Sequence, residues 1–539
     1  MLVVGAGPTG LMLACELARH GAPVRIIDRL PGIVRLARAT GVHSRSLEVF
    51  QDLGIVQDIV ERAALVRGAN QFAGGEPLLH YRTDELDSPF PFGASLEQWK
   101  VEEALEGLLN RLGVEVDRET ELRGLEARAD GVVATLRGAG DEETVETPWL
   151  IGCDGAHSTV RHLLGECFPG TVDPREYLVA DVQLEHGRVS DEIYVYLTDD
   201  GVLWWFPLPE GRSLLAGDLR QPGGADGAEP ALADVQGLLD RRAPAGIVAR
   251  DARWINRFHI HYRLAPHYRN GRVFLAGDAA HVHSPIGGQG MNTGIQDAYN
   301  LGWKLALVAR GEAPARLLDS YEAERRAVAR NVLEMTRGLT EKAEQYVALE
   351  PDERSRLYRH LVLPDAERLH MLRHAEELDL DYGSSPICGE FIEGPGALAD
   401  GPAAGHEARD AGPLLLDGKR RFLFELLGGA RHHLLLLPGS EPTRRRGPDS
   451  FAALLQAVSA SYGGLLNVYV GIPPAMDPRS FEGLSATAVH DAQGELHRRY
   501  GAGGACLYLI RPDGYVGFRS QPPTAGPLLA YLQRLLAPA

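Results

Sequence analysis

The stretch from Gly271 to Leu307, GRVFLAGDAAHVHSPIGGQGMNTGIQDAYNLGWKLAL, constrains the fold of this chain more than any other. Val273, Phe274 and Leu275 read as a buried strand, Gly277-Asp278 as a turn, and the rest as a Gly/Pro-rich loop running into a long amphipathic helix. Gly277, Gly287, Gly288, Gly290 and Gly294 crowd the loop and helix start, where a backbone must turn sharply or approach a ligand closely. The first N–H groups of a helix lack partners and carry the positive end of its dipole, so such a terminus suits an anion. Asp278 stands at the carboxyl end of a strand, where open α/β folds bind their ligands.

The chain begins MLVVGAGPTG, a β run followed by Gly5-x-Gly7-x-x-Gly10. A helix over Leu11–His20 and a second strand over Val24–Ile27 complete a βαβ unit. Gly5 serves the tight turn, Gly7 lets the backbone approach a pyrophosphate, and Gly10 permits close helix–strand packing. Asp28 stands 18 residues beyond Gly10, where an acid holds a ribose 2′-hydroxyl. An acid there disfavours a 2′-phosphate, which points to FAD or NAD rather than NADP.

At 539 residues the chain is long enough for two or three domains. Its 44% hydrophobic and 24% charged content is that of an ordinary globular protein. A formal net charge of −18 argues against nucleic acid or an anionic membrane as partner. The five cysteines (Cys15, Cys153, Cys167, Cys388, Cys506) form no Cys-x-x-Cys and no metal-type spacing. Sparse thiols, and no run of 18 apolar residues, are read as a cytoplasmic chain with no bound metal and no transmembrane helix.

Further along, Arg38 and Arg45 flank a Gly41-Val42-His43 turn before a helix from Ser46 to Leu53. Either arginine could reach a pyrophosphate or an anionic substrate, or simply solvate a helix start. A helix from Glu97 to Leu112 carries Gln98 and Glu102 near its beginning. Trp149–Arg161, WLIGCDGAHSTVR, places a second acid, Asp154, between a strand end and a helix start near Ser158. Asp154 or Ser158 would equally serve as a simple cap. Strands dominate residues 166–260, and Leu203-Trp204-Trp205-Phe206-Pro207 presents alternate aromatics to opposite faces, as core or as the wall of an aromatic-ligand cavity. Helical segments occupy 315–337 and 340–378, and residues 384–413 are rich in Gly, Pro and Ala. A separate α/β pattern follows, with a hairpin over Leu507–Arg519 and a closing helix over Pro527–Leu536.

Taken together, GAGPTG at 5–10, CDGAHSTVR at 153–161 and the long motif at 277–306 resemble the flavoprotein aromatic hydroxylases typified by para-hydroxybenzoate hydroxylase and phenol hydroxylase (group A flavoprotein monooxygenases). The likeness is greatest to the pentachlorophenol-hydroxylase and polyketide-tailoring branch. It extends to Asp319–Arg325 and to Leu509-Ile510-Arg511-Pro512-Asp513-Gly514. The resemblance implies an α/β fold: a Rossmann-like FAD-binding domain with an inserted, mainly antiparallel β substrate domain, then a C-terminal thioredoxin-like α/β domain. The expected boundaries are 1–70, 96–165 and 260–385 for the FAD domain, 71–95 and 166–259 for the substrate sheet, 386–411 for a linker, and 412–539 for the thioredoxin-like domain. Lacking Cys-x-x-Cys, that last domain is expected to be structural or a homodimer contact rather than redox-active.

By the same resemblance Gly5, Gly7 and Gly10 hold the FAD pyrophosphate, with Pro8 and Thr9 between them. Asp28, beside Arg29, holds the adenosine ribose, where family members more often carry Glu. Asp278, following Gly277, holds the ribityl chain, with Gln98 and Arg38 as further contacts. Asp154 serves both FAD and a transient reduced nicotinamide, and Pro285–Asn292, including Gly288, Gly290, Met291 and Asn292, runs along the isoalloxazine. The implied reaction is NADH- or NADPH-dependent hydroxylation of a phenolic or polycyclic aromatic by O2, through a flavin C4a-hydroperoxide. The base that would deprotonate the phenol is not evident. His43, Tyr194, Tyr196, Trp204 and Pro285 are the candidates for the reaction site. A Baeyer–Villiger or epoxidising member shares every motif, and a non-catalytic FAD-binding protein would share the cofactor residues. A flavin halogenase is disfavoured, since Trp204-Trp205 departs from the Trp-x-Trp-x-Ile-Pro pattern.

Overall fold

The computed structural model describes residues 1–539 except 36–38, 139, 186–190, 220–228, 286, 349–352, 354–364, 395–396 and 538–539. The chain divides into a first unit, Met1–Ala18, Pro23–Ala298 and Arg326–Glu377, and a second, Arg19–Ala22, Tyr299–Arg325 and Leu378–Ala539. The fold is mixed α/β.

The first unit is built on a six-stranded sheet in the order Arg269–Asn270, Val273–Leu275, Leu150–Gly152, Leu2–Val4, Arg25–Ile27, Val116–Asp117. Its three central strands are wholly buried, as expected where helices cover both faces of a parallel sheet. Register does the positioning. Val4 lies level with Gly152 on one side and Ile27 on the other, and Gly152 lies level with Leu275. The turns after these strands, at Gly5, Asp28, Cys153-Asp154 and Gly277-Asp278, therefore emerge along one edge.

An eight-stranded sheet in the same unit runs in the order His281–Val282, Val248–Leu264, Gly170–Glu185, Arg212–Leu219, Gly201–Pro207, Glu192–Thr198, Gly68–Ala73, Glu76–Arg82. Its pairs are antiparallel except Glu192–Thr198 with Gly68–Ala73. One face is closed by Leu178, Leu203, Trp205 and Leu215 packed with Val235, Leu238 and Leu239 of the helix Leu232–Arg242. The other carries Trp204 and Phe206.

Two expectations are corrected in the second unit. Residues 386–411 are not a linker: Gly389–Ile392 is a strand in parallel register with Phe518–Gln521, and Leu398, Ala404, Ala408 and Ala411 are buried. Glycine and proline there shape a packed turn-rich segment. Residues Tyr299–Arg325 group with the C-terminal residues rather than with the nucleotide-binding sheet. The reason is a buried ionic network. Glu324 accepts from Lys304 Nζ (2.7 Å), from both terminal nitrogens of Arg511 (2.7 and 3.0 Å) and from Ser385 Oγ (2.6 Å), while Trp303 Nε1 donates to Asp513 (3.1 Å). The cations hold the Glu324 carboxyl far below its ordinary range, and losing one partner would strand a buried charge at a cost of about 3–5 kcal/mol. Among the described residues, no helix is long and apolar enough to cross a membrane.

Candidate active site

A cavity of about 1080 Å³ opens in the first unit, along the edge where the parallel strands end. Its floor is backbone. Gly5 turns at φ +102°, and a Cβ there would stand 2.4 Å from the Cys153 carbonyl oxygen. A Cβ on Gly10 would come within 1.8 Å of the Gly5 oxygen, so the helix Pro8–Arg19 packs against the turn only because residue 10 is glycine. Gly7 has open space where a side chain would be and lines the cavity. Thr9 wedges its hydroxyl between Gly277 and Gly294, where added Cβ atoms would lie 2.5 and 2.4 Å from Oγ1. Two glycines thus let the first helix touch the Asp278 turn and the long helix Gln289–Ala309.

Three carboxylates face this floor. Asp28 accepts from the Ala6 N–H (2.7 Å) and the Leu30 N–H (2.8 Å), one to each oxygen, which fixes its plane and leaves lone pairs for a ligand. Asp278 presents its side chain to the cavity, whose walls desolvate it and raise its pKa. Its turn is held by Asp297, which accepts from the Gly277 N–H (3.0 Å) and bonds His281 Nε2 (2.8 Å). Asp154 accepts from the Val160 N–H (3.1 Å) through Oδ2, while its buried Oδ1 has no hydrogen-bond partner among the described residues, and burial raises its pKa. An orphaned buried carboxylate oxygen beside an open glycine floor fits a polar dinucleotide.

The remaining expected residues divide. Pro8, Arg29, Gln98, Pro285, Gly288, Gly290 and Met291 line the cavity. Gln98 Nε2 is held by Glu102 at 2.8 Å. Gly290 and Met291 lie in the first turn of the helix that begins at Gln289, so the loop is shorter than expected and Asn292 is helical. The Asn292 amide clamps neighbouring backbone: Oδ1 accepts from the His43 N–H (3.0 Å), and Nδ2 donates to the Gly41 (2.9 Å) and Gly288 (2.7 Å) carbonyls. Gly10 and Gly277 act through packing. Arg38 lies outside the described residues. Arg45 is buried and paired with Glu48 at 3.0 Å.

The other end of the cavity is walled by side chains. Trp204 and Phe206 project from the large sheet, near Tyr177 and Phe258, whose rings stack at 5.6 Å. Tyr194 and Tyr196 point the other way, a correction with a plain cause. Tyr194 pairs with Trp205 and Tyr196 with Leu203, so all four share the core face while Trp204 faces the cavity. His43 lines the cavity, with Nδ1 4.0 Å from Glu377. Sequence reading missed Tyr81, His283 and Glu376, which also line it. His283 is neutral, its pKa lowered to about 4 by burial and by His281.

The family model for the FAD binding domain matches residues 1–336. The chain belongs to the FAD-dependent aromatic monooxygenases. The 12-dehydrotetracycline 5-monooxygenase/anhydrotetracycline 6-monooxygenase of Streptomyces rimosus is 34% identical to it over 540 residues, spanning 97% of this chain and 96% of that one. Pentachlorophenol 4-monooxygenase of Sphingobium chlorophenolicum is 31% identical over 532 residues, spanning 96% and 93%. The solved anhydrotetracycline hydroxylase from Streptomyces rimosus matches with a TM-score of 0.76 at 31% identity, covering 100% of this chain and 99% of that one. This monooxygenase therefore shares both its cofactor module and its full-length architecture with enzymes that oxidise aromatic molecules.

Proposed function

We propose that the enzyme hydroxylates a phenolic, polycyclic aromatic of polyketide type, using NADH or NADPH and O2. One observation carries this reading: a single cavity joins a glycine-built, carboxylate-bearing floor to an aromatic wall of Trp204, Phe206, Tyr177 and Phe258. At about 1080 Å³ it exceeds the range of about 300–1,000 Å³ usual for one drug-sized ligand, as a site for both cofactor and substrate should. The polycyclic reading rests on relatives named for 12-dehydrotetracycline, anhydrotetracycline and 6-methylpretetramide.

In this reading Gly5–Gly10, Asp28 and Arg29 hold the dinucleotide part of FAD, Asp278 and Gln98 its ribityl region, and Pro285 and Gly288–Asn292 border the isoalloxazine. Arg38 is kept as a further contact. Asp154 meets both FAD and the visiting nicotinamide. Bound and reduced FAD would supply the activated oxygen that is inserted into the substrate ring. The chain's own residues orient and exclude. The aromatic wall stacks the substrate ring and keeps water out, and the N–H groups opening the helix at Gln289 favour negative charge beside them. The C-terminal unit is assigned a thioredoxin-like, structural role, including a dimer contact. Burial pushes the Cys388 thiol up to about 11 and that of Cys506 higher still, so neither is a thiolate at neutral pH.

The test is anaerobic. The purified protein should be yellow and should be bleached by NADH or NADPH, faster when one member of a panel of phenols and polycyclic quinones is added. A yellow protein that neither nicotinamide bleaches with any compound would count against the hydroxylase reading.

A further inference from the structure

The sequence supplied no acceptor for the substrate's hydroxyl proton, and the cavity offers one. The end of the helix Asp365–Ala375 and the two residues after it, Glu376 and Glu377, cross the substrate end, with Ala375 and Glu376 in its lining. The crossing is tethered at several points. The Arg45 N–H donates to the Glu376 carbonyl (3.3 Å), and the Ser44 N–H (2.8 Å) and hydroxyl (3.1 Å) donate to Glu376 Oε2. Gln289 Nε2 donates to the Ala375 carbonyl (3.1 Å), and Gln296 Nε2 to Glu377. All the tethers on the Glu376 carboxylate fall on one oxygen. Oε1 has no hydrogen-bond partner among the described residues, and it sits 3.8 Å from where a Cβ on Gly93 would stand. Gly93 lines the same cavity, so a missing side chain leaves Oε1 accessible.

Tyr81, from the strand Glu76–Arg82, lines the cavity as well, and its hydroxyl has no hydrogen-bond partner among the described residues. Burial, then the negative charge of Glu376, pushes its pKa up to about 12, so it stays a phenol and a donor. A fixed anionic acceptor and a fixed neutral donor thus stand within electrostatic reach of each other on one wall. That arrangement complements a ring hydroxyl beside a ring carbonyl. A hydrogen bond between a phenol O–H and a carboxylate is of the strong, charge-assisted kind.

We propose that Glu376 Oε1 accepts the proton of the aromatic hydroxyl during oxygen insertion, and that Tyr81 donates to the neighbouring carbonyl, so that the enzyme selects a hydroxyl–carbonyl edge. The inference rests on the hydroxylase reading above. The resting substrate keeps its proton, shared with Oε1 in a hydrogen bond. As the oxygen supplied by the monooxygenase reaction bonds to the ring, electron density leaves the hydroxyl and its proton becomes strongly acidic. The O–H bond then breaks, its electron pair stays behind as a C=O, and the proton forms the Oε1–H bond. The ring hydrogen then leaves as a proton to solvent, its C–H electron pair restoring aromaticity, while the proton on Oε1 returns to the ring oxygen and regenerates both the hydroxyl and the carboxylate.

The test compares wild type, Glu376→Gln and Tyr81→Phe as FAD-loaded full-length proteins. FAD content per chain serves as the control for folding. The probes are 1,8-dihydroxyanthraquinone and its 1,8-dimethoxy counterpart, whose binding is read in the visible spectrum. Wild type should prefer the hydroxyl probe, and Glu376→Gln should lower that preference about tenfold, the difference between a charged and a neutral acceptor. Tyr81→Phe should weaken both probes equally, since both keep the carbonyl. An undiminished preference in Glu376→Gln overturns the inference. Wild type binding neither probe overturns the substrate class itself, and the inference with it. With the compound chosen by the anaerobic screen, Glu376→Gln should lower hydroxylation kcat about 100-fold, within the range of general-base losses. NAD(P)H oxidation should continue and release H2O2. Unchanged coupling of NAD(P)H to product overturns the base role.

Discussion

The two ends of the cavity are made of different material. The floor at Gly5, Gly7, Gly10, Gly277 and Asp278 is backbone brought to close quarters by missing side chains, with three carboxylates pinned at strand ends. The far wall is side chains on a sheet, Trp204, Phe206, Tyr177 and Phe258, closed by Glu376 and Tyr81. A backbone floor is fixed by local sequence and tolerates almost no substitution. A side-chain wall is fixed by register between distant strands and can be resurfaced without disturbing the sheet. The division suits an enzyme that keeps one cofactor and meets its substrate through an adaptable surface.

If that contrast is sound, the most damaging change lies in the floor. Gly10→Val places carbon within 1.8 Å of the Gly5 oxygen, and no rotamer relieves a clash with backbone. The variant should contain no FAD, read as the absence of flavin absorbance in any soluble protein recovered. Normal FAD content would mean that helix and turn can separate, and the floor would not be rigid.

Next come the adjacent tryptophans. Trp205→Ala empties a fully buried site and loses the bond from Nε1 to Ser213 Oγ at 2.9 Å. It should lower stability by about 3–5 kcal/mol in urea unfolding. Trp204→Ala, one residue away on the other face, should leave the unfolding midpoint nearly unchanged and weaken aromatic-ligand binding about tenfold at constant FAD content, as for a lost stacking partner. Equal destabilisation by both would erase the distinction between core and wall. Asp278→Ala should fold and lose FAD affinity by about 100-fold, the scale of one or two charge-assisted hydrogen bonds. Tight retention of the flavin would remove Asp278 from the floor.

The floor was also the legible part of the sequence. Gly5-x-Gly7-x-x-Gly10, Asp28, Asp154 and Asp278 announce themselves because glycine spacing and a terminal acid are local facts, and strand register then set them level. The wall was half legible. Period-two alternation said that Trp204 and Trp205 face opposite ways, but which faces the ligand depends on partners 10 or more residues distant. Once Tyr194 pairs with Trp205, Tyr194 and Tyr196 must join the core, so Tyr194, Tyr196 and Trp204 could never have shared one site. Glu376 and Tyr81 left no local trace. Glu376 is held at the cavity by Ser44 and Arg45, more than 300 residues earlier in the chain, and nothing in a helical stretch foretells that. The 386–411 segment misled for the opposite reason, since glycine and proline mark packed turns as readily as linkers.

His283 stands between the two materials, and it gives the mildest test. It is a side chain in the cavity wall, yet it belongs to the backbone-ordered loop. Its Nδ1 lies 3.0 Å from the Ser284 carbonyl, and its ring lies over that of His281 at 6.1 Å. Burial first, then His281, lowers its pKa to about 4, against about 6.5 in an unfolded chain. Above pH 6.5 neither state binds the proton, and the imidazole has no effect on the pH dependence of stability. As pH falls below 6.5 the unfolded chain takes up a proton that the folded one refuses, so stability declines until about pH 4. Discounted for the solvent that reaches the cavity, the loss between pH 7 and pH 5 should be about 1 kcal/mol. His283→Phe, measured by urea unfolding at both pH values, should flatten that slope by the same amount. An unchanged slope would mean that His283 is hydrated like a surface residue, and the wall would then be wetter at its junction with the floor than an oxygen-inserting site can tolerate.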